Sequence, residues 1–167
     1  AVVGEDPHAR HPGAGRLKGM ARTDTLRRFL FERYPFRGQL VHLGPAWQAM
    51  MEHHDYPPQV RDSLGEAVVA AALLSSTLKY DGLLSLQLRG EGPMHLMLVE
   101  CTDGLAMRAV ARFRDPPDTR DLRLLSGNGT LTVTVESGDA ANRYQGIVPL
   151  AGDSMGDCLR AYFDHSE

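Results

Sequence analysis

The sequence has little cysteine. Its two thiols, Cys101 and Cys158, are too few and too far apart to form a disulfide framework, and neither has the paired spacing of metal ligands. A chain of 167 residues can bury a core without such staples. Each cysteine therefore reads as a small buried hydrophobe, kept reduced in a cytoplasmic protein. No apolar run approaches the roughly 18 residues that cross a bilayer, and no secretory h-region opens the chain, so no membrane is expected as a partner. Neither sign of charge dominates: 18 Lys and Arg face 21 Asp and Glu, a net charge of -3. The basic excess that marks a nucleic-acid partner is missing.

Signals of catalysis are also scarce. No Ser or Cys stands in a nucleophile elbow, and no carboxylate pair is set apart by its context. Gly90-x-Gly92 and Gly127-x-Gly129 each lead into a strand, whereas phosphate cradling needs a helix N-terminus, so these are turn glycines. His53, His54 and Asp55 precede Pro57-Pro58 without ligand-like spacing and read as a solvated turn. No catalytic residue and no metal ligand is assigned, and the chain is not expected to be an enzyme.

The patterned sequence begins after Met20. Residues 1–19 are rich in Gly, Pro, Arg and His and lack an apolar period, as in a disordered leader or a cloning remnant, which leaves 20–167 as the domain. Thr25 to Glu32 places Leu26, Phe29 and Leu30 at helical spacing and predicts a short helix. Arg37 to Leu43 alternates as a strand, and Ala46 to His53 returns to helical spacing through Trp47, Met50 and Met51. Pro57-Pro58 opens the longest helix, carried by Val60, Leu64, Val68, Ala71, Leu74 and Leu78, with a nearly all-apolar centre that predicts burial. Gly65 inside it implies close packing on a neighbour.

Strands follow. Leu84, Leu86 and Leu88 alternate with polar residues; Met94 to Glu100 and Leu105 to Phe113 form two more strands, separated by Gly- and Pro-rich turns. The stretch from Leu78 through Asp81-Gly82 to Leu84, Leu86 and Leu88 aligns with Leu125, Asn128-Gly129, Leu131, Val133 and Val135. This is a weak duplication of a turn-plus-strand unit. Tyr144 to Leu150 completes the second hairpin. Gly152-Asp153-Ser154 caps a last helix whose Met155, Leu159, Tyr162 and Phe163 are expected to face the core. The fold class is α+β, with mostly antiparallel sheets packed on a long buried helix and a C-terminal helix. Methionine is the feature with functional promise. Met94, Met97 and Met107 lie on strands, and both faces of the segment from Met94 to Val99 are apolar. Either these residues fill a core or they form an adaptable binding surface, with Met94, Met97, Val99 and Met107 as its candidates.

Several motifs resemble the heat-shock protein 33 family. They include Lys79, Asp81 and Gly82; Gly90, Gly92, Pro93 and Met94; Arg108 within the run from Met107 to Arg112; Gly127 and Gly129; and Tyr144, Gln145 and Gly146. Tyr34 to Val41, His53 to Pro57 and the closing Tyr162 to Glu167 match as well. The resemblance runs from about Leu26 to Glu167. It implies a cytoplasmic, ATP-independent holdase chaperone that binds unfolding proteins under oxidative stress. It also implies a homodimer, with elements exchanged between subunits in some members. In that family a linker and a small zinc domain follow the core, with zinc held by C-x-C and C-x-x-C cysteines that oxidant converts to disulfides. The sequence has neither spacing, so zinc is expected only in a longer parent protein and no ligand is assigned. Two other readings stay open: a dimerisation platform whose clients bind elsewhere, and an enzyme on an unrelated α+β scaffold.

Overall fold

The computed structural model describes residues 23–138 and 143–165. The proposed leader at 1–19, Met20 and the closing Ser166-Glu167 lie outside the described residues. The architecture is α+β, with two antiparallel sheets and four helices among the described residues.

The N-terminal pair, β1 (Thr25–Leu30) and β2 (Arg37–His42), forms a two-stranded hairpin. This corrects the helix expected over Thr25 to Glu32. Leu26, Phe29 and Leu30 mimic one helical face, but six residues are too few for periodicity to decide. The deciding partner is β2, which pairs with β1 from Thr25 opposite His42 to Leu30 opposite Arg37. Phe29 lies across Gly38, its cross-strand partner, where a Cβ would collide with the ring.

The next helix, α1 (Pro45–Met51), has no capping side chain of its own. Asp24 supplies one from before β1, accepting from Gly44 N at 2.7 Å and Ala46 N at 3.0 Å. The long helix α2 (Pro58–Thr77) begins as the proline pair predicts, with Pro57 at the N-cap. Val60, Leu64, Ala67, Val68 and Ala71 are fully buried. Trp47 of α1 lies over Gly65, the neighbour that the glycine implied.

The second sheet has the order β5-β4-β3-β6-β7. Its strands are β3 (Gly82–Arg89), β4 (Met94–Thr102), β5 (Met107–Phe113), β6 (Thr130–Ser137) and β7 (Arg143–Val148). The duplicated segments are its two central strands. Leu84 pairs with Val135, Leu86 with Val133 and Leu88 with Leu131. The sequence alignment matches Leu84 to Leu131 and Leu88 to Val135. The two repeats are therefore related by a local twofold through the Leu86–Val133 pair, and their apolar faces sum into one core layer under α2.

Two short elements finish the core. A helix that the sequence reading did not assign, α3 (Leu122–Ser126), buries Leu122 and Leu125. The signals were present: Asp121 caps it by accepting from Arg123 N (2.8 Å) and Leu124 N (3.1 Å), and Gly127 ends it in the left-handed region at φ 64°. The last helix, α4 (Met155–Asp164), is capped by Ser154, as expected, and buries Met155 and Cys158. Phe163, expected to face the core, is 52% exposed, whereas Leu159 and Tyr162 pack partly buried against the core.

The two helix caps make stability sensitive to acid. The Asp121 carboxyl is held below its ordinary value of 3.8, first by the Leu124 amide, and Asp157 is held below 3.8, first by the Ser154 hydroxyl. A carboxyl depressed in the folded state stabilises above its unfolded value, and that contribution is lost as pH falls through the folded one. We expect the urea midpoint of the wild-type chain to drop between about pH 6 and about pH 3. A variant carrying Asp121→Ala and Asp157→Ala should start lower and drop less over the same interval.

Candidate functional site

The expected methionine surface divides between core and edge. Met94 and Val99 are fully buried and Met97 is 1% exposed, all three packed in the core beneath α2. A strict period of two cannot place Met94 and Met97 on one face. A bulge between Met94 and Leu96 shifts the register and turns both inward. These three residues are thus core, and they offer no surface on the folded chain. Met107, half-buried on the edge strand β5, is the one candidate that lines an open groove.

The motif residues serve mainly as joints. The Asp81 carbonyl accepts from Gly138 N at 2.7 Å, and the Gly82 carbonyl accepts from Asp103 N at 3.2 Å. Gly90 and Gly92 in the β3–β4 turn lie against Ser126, Gly127 and Gly129 in the α3–β6 turn, backbone upon backbone. The Pro93 carbonyl accepts from Arg114 N at 2.9 Å, and Arg108 pairs with Glu100 across β4 and β5. Tyr144 and Tyr162 share a hydroxyl hydrogen bond beside Gly146, where a Cβ would lie 2.6 Å from the Tyr162 oxygen. Lys79 and Gln145 are exposed.

The exposed apolar surface lies elsewhere. The β1–β2 hairpin carries Phe31, Tyr34 and Phe36 at 54%, 63% and 64% exposure, with Leu30 and Leu40 beside them. Phe29 meets Phe31 edge-on at 5.7 Å, and Tyr34 stacks on Phe36 at 6.4 Å. The hairpin is fixed to the end of α2, where Arg28 donates to the Ser76 carbonyl at 2.6 Å and Gln39 donates to the Thr77 hydroxyl at 3.1 Å. Its aromatic end is therefore presented on an anchored support. A second apolar recess of about 510 Å³ lies between Leu78, Val135, Tyr144, Leu159 and Phe163. Single exposed hydrophobes are ordinary on protein surfaces, but such clusters mark places where other chains bind. The sequence did contain the hairpin signal, as aromatics close to Gly38, but the helical reading of Thr25 to Glu32 concealed it.

The thiols do not suit zinc. Cys101 on β4 and Cys158 on α4 are both fully buried, and burial pushes each thiol above its ordinary value of 9.0. Zinc needs thiolates, and a structural site needs four ligands. Among the described residues no group of three or more His, Cys, Asp or Glu side chains converges as a metal site. His54, in the proposed solvated turn, stacks on Tyr56 at 5.0 Å. Among the described residues, no helix is long and apolar enough to cross a membrane.

The domain is α+β, with exposed apolar clusters on an anchored hairpin and beside α4. The family model described as Hsp33 protein matches residues 24–167, and the chain belongs to that family. It is 45% identical over 149 residues to the 33 kDa chaperonin of Cronobacter sakazakii and 43% identical to that of an Enterobacter species. Each match covers 89% of this chain and 51% of the relative, so the chain spans about half the length of the relatives it matches. The fold resembles the crystal structure of the 33 kDa chaperonin of Thermotoga maritima, with a TM-score of 0.71 at 20% identity over 84% of this chain and 50% of that one.

Proposed function

We propose that this chain is the holdase core of a chaperone, which captures unfolding proteins through exposed apolar surface and without ATP. The observation that carries the reading is the anchored aromatic end of the hairpin, displayed by a domain that belongs to a family of chaperonins. Capture of this kind is driven by apolar area removed from water, roughly 25 cal/mol per Å², and requires no reacting group. The cytoplasm is the proposed compartment and a homodimer the proposed assembly. Zinc-dependent redox control belongs, in this proposal, to a longer parent protein with further cysteines.

The test is light scattering from a chemically unfolded client enzyme diluted into buffer without nucleotide. The wild-type chain is expected to suppress the scattering, equally with and without peroxide. A variant carrying Phe31→Ser, Tyr34→Ser and Phe36→Ser should keep its unfolding midpoint, since exposed substitutions cost within about 0.5 kcal/mol each, yet lose most of the suppression. A wild-type chain that leaves the client to aggregate would overturn the reading. That result would favour a dimerisation platform whose clients bind in the other half of the relatives' length, a reading suggested by the 51% coverage.

A further inference from the structure

The groove beside Met107 combines an apolar lining with an unpaired strand edge. β5 is the outermost strand on its side of the sheet. In an antiparallel pair, alternate residues direct their backbone groups toward the partner and away from it. The Ala111 N–H donates to the Tyr56 hydroxyl at 3.1 Å, so Ala111 belongs to the set that faces away from β4. The Thr102 N–H donates to the Ala106 carbonyl at 2.9 Å, which places the even-numbered residues on the ladder side. Met107 and Ala109 therefore turn their N–H and C=O groups outward. Tyr56 stops the edge at Ala111, and Met107 and Ala109 have no corresponding stopper among the described residues.

The space they open into is an apolar groove of about 590 Å³. It lies between β5, α1 and the hairpin, and is lined by Leu26, Val41, Leu43 and Met50 together with Met107 and Ala109. The charged side chains at its rim are already engaged, Asp24 by the Gly44 and Ala46 amides and Arg108 by Glu100. Main-chain hydrogen bonding and apolar contact are what this groove has left to offer. Outside it, on the solvent face of β5, Arg112 is exposed and has no carboxylate partner among the described residues. A strand laid beside β5 up to Tyr56 would direct alternate side chains into the groove and over Val110, from where a long acidic side chain reaches Arg112 diagonally.

We propose that the edge of β5 takes up an extended segment of an unfolded polypeptide by strand addition, with apolar residues directed into the groove and acidic residues toward Arg112. The ladder supplies affinity for any backbone, and the alternate pockets supply the preference. The holdase reading supplies the source of such segments; the site itself rests on the edge geometry and the charge match.

The test uses the whole chain and a short capped peptide of alternating Val and Glu as the probe, with its alternately N-methylated form as control. Bound peptide is expected to slow amide exchange at Met107 and Ala109 by at least about tenfold, and the methylated form to bind at least about tenfold more weakly. Ala109→Pro removes an outward N–H without breaking a ladder bond, a position where edge strands accept proline. It should weaken the peptide at least about tenfold. Ala49→Phe, from an exposed position on α1, fills the groove and should do the same while leaving the fold untouched. Wild-type binding by folded Ala49→Phe and Ala109→Pro variants, or protection appearing only away from β5, overturns the site. If both variants lose the peptide but wild type fails to protect a client, the edge stands and the holdase reading falls. If wild type protects a client and the folded variants bind the peptide as wild type does, the holdase reading stands and the edge falls.

Discussion

Gly90→Ala and Gly92→Ala should each lower the urea midpoint sharply, whereas Gly104→Ala should fold as wild type. The difference lies in what a methyl group meets. At Gly90 it would run into the Ser126 carbonyl and come within 3.0 Å of the Gly129 Cα; at Gly92 it would meet the Gly127 nitrogen and the Leu125 carbonyl. From the other side, a Cβ on Gly127 would lie 2.6 Å from the Gly92 nitrogen, and Gly127 itself holds φ 64°. All of these neighbours are backbone, so no side chain can rotate out of the way. The turns are also joined by the Gly92 N–H, which donates to the Ser126 carbonyl at 3.0 Å. Separating them would strain β3 and β6, the central strands. We expect a loss of more than about 4 kcal/mol from the roughly 5–15 kcal/mol that holds a domain folded. At Gly104 the nearest atom is the Thr102 hydroxyl at 3.8 Å, and a methyl fits. Urea unfolding followed by circular dichroism gives all three outcomes. A Gly92→Ala midpoint close to wild type would mean that the two turns separate at little cost.

These glycines also show how much of the fold the sequence disclosed. Their role as turns was legible, because each pair precedes an alternating apolar run. Their contact with one another was not, since it joins turns that are distant along the chain. The same division holds elsewhere. The long helix announced itself through the spacing from Val60 to Leu74 and the Pro57-Pro58 start, because its burial pattern is local and long. The duplicated strands were legible as a repeat, and the pairing of Leu84 with Val135 and of Leu88 with Leu131 follows once they are placed side by side. The strand β1 was misread because its character depends on β2, and six residues of its own cannot overrule a chance helical spacing. The Asp24 cap on α1 was invisible for the same reason. Of the candidate residues, Met94, Met97 and Val99 lie in the core, while of the open aromatics Phe31 lay within the misread segment and Tyr34 and Phe36 just beyond it.

Met97→Ala separates these roles. It should lower the folding stability by about 2–5 kcal/mol, the range for truncating a buried large side chain. Met97 is 1% exposed and sits between Leu88 on β3 and Ala111 on β5, directly under α2. Truncation leaves a void there that is hard to close, because β4 is held in register between β3 and β5 and β3 in turn by β6. Were Met97 a client contact, the variant would lose aggregation suppression at a temperature where it remains folded. A core role requires the opposite outcome, a lowered urea midpoint with suppression per folded molecule unchanged. Met107→Ser supplies the counterpart. Met107 is half-buried on an edge strand, so the stability change should be small, about 1 kcal/mol, while capture of the Val and Glu peptide weakens. A Met97→Ala variant with wild-type stability and impaired suppression would return β4 to the binding surface and would require α2 to lift away from the sheet during capture.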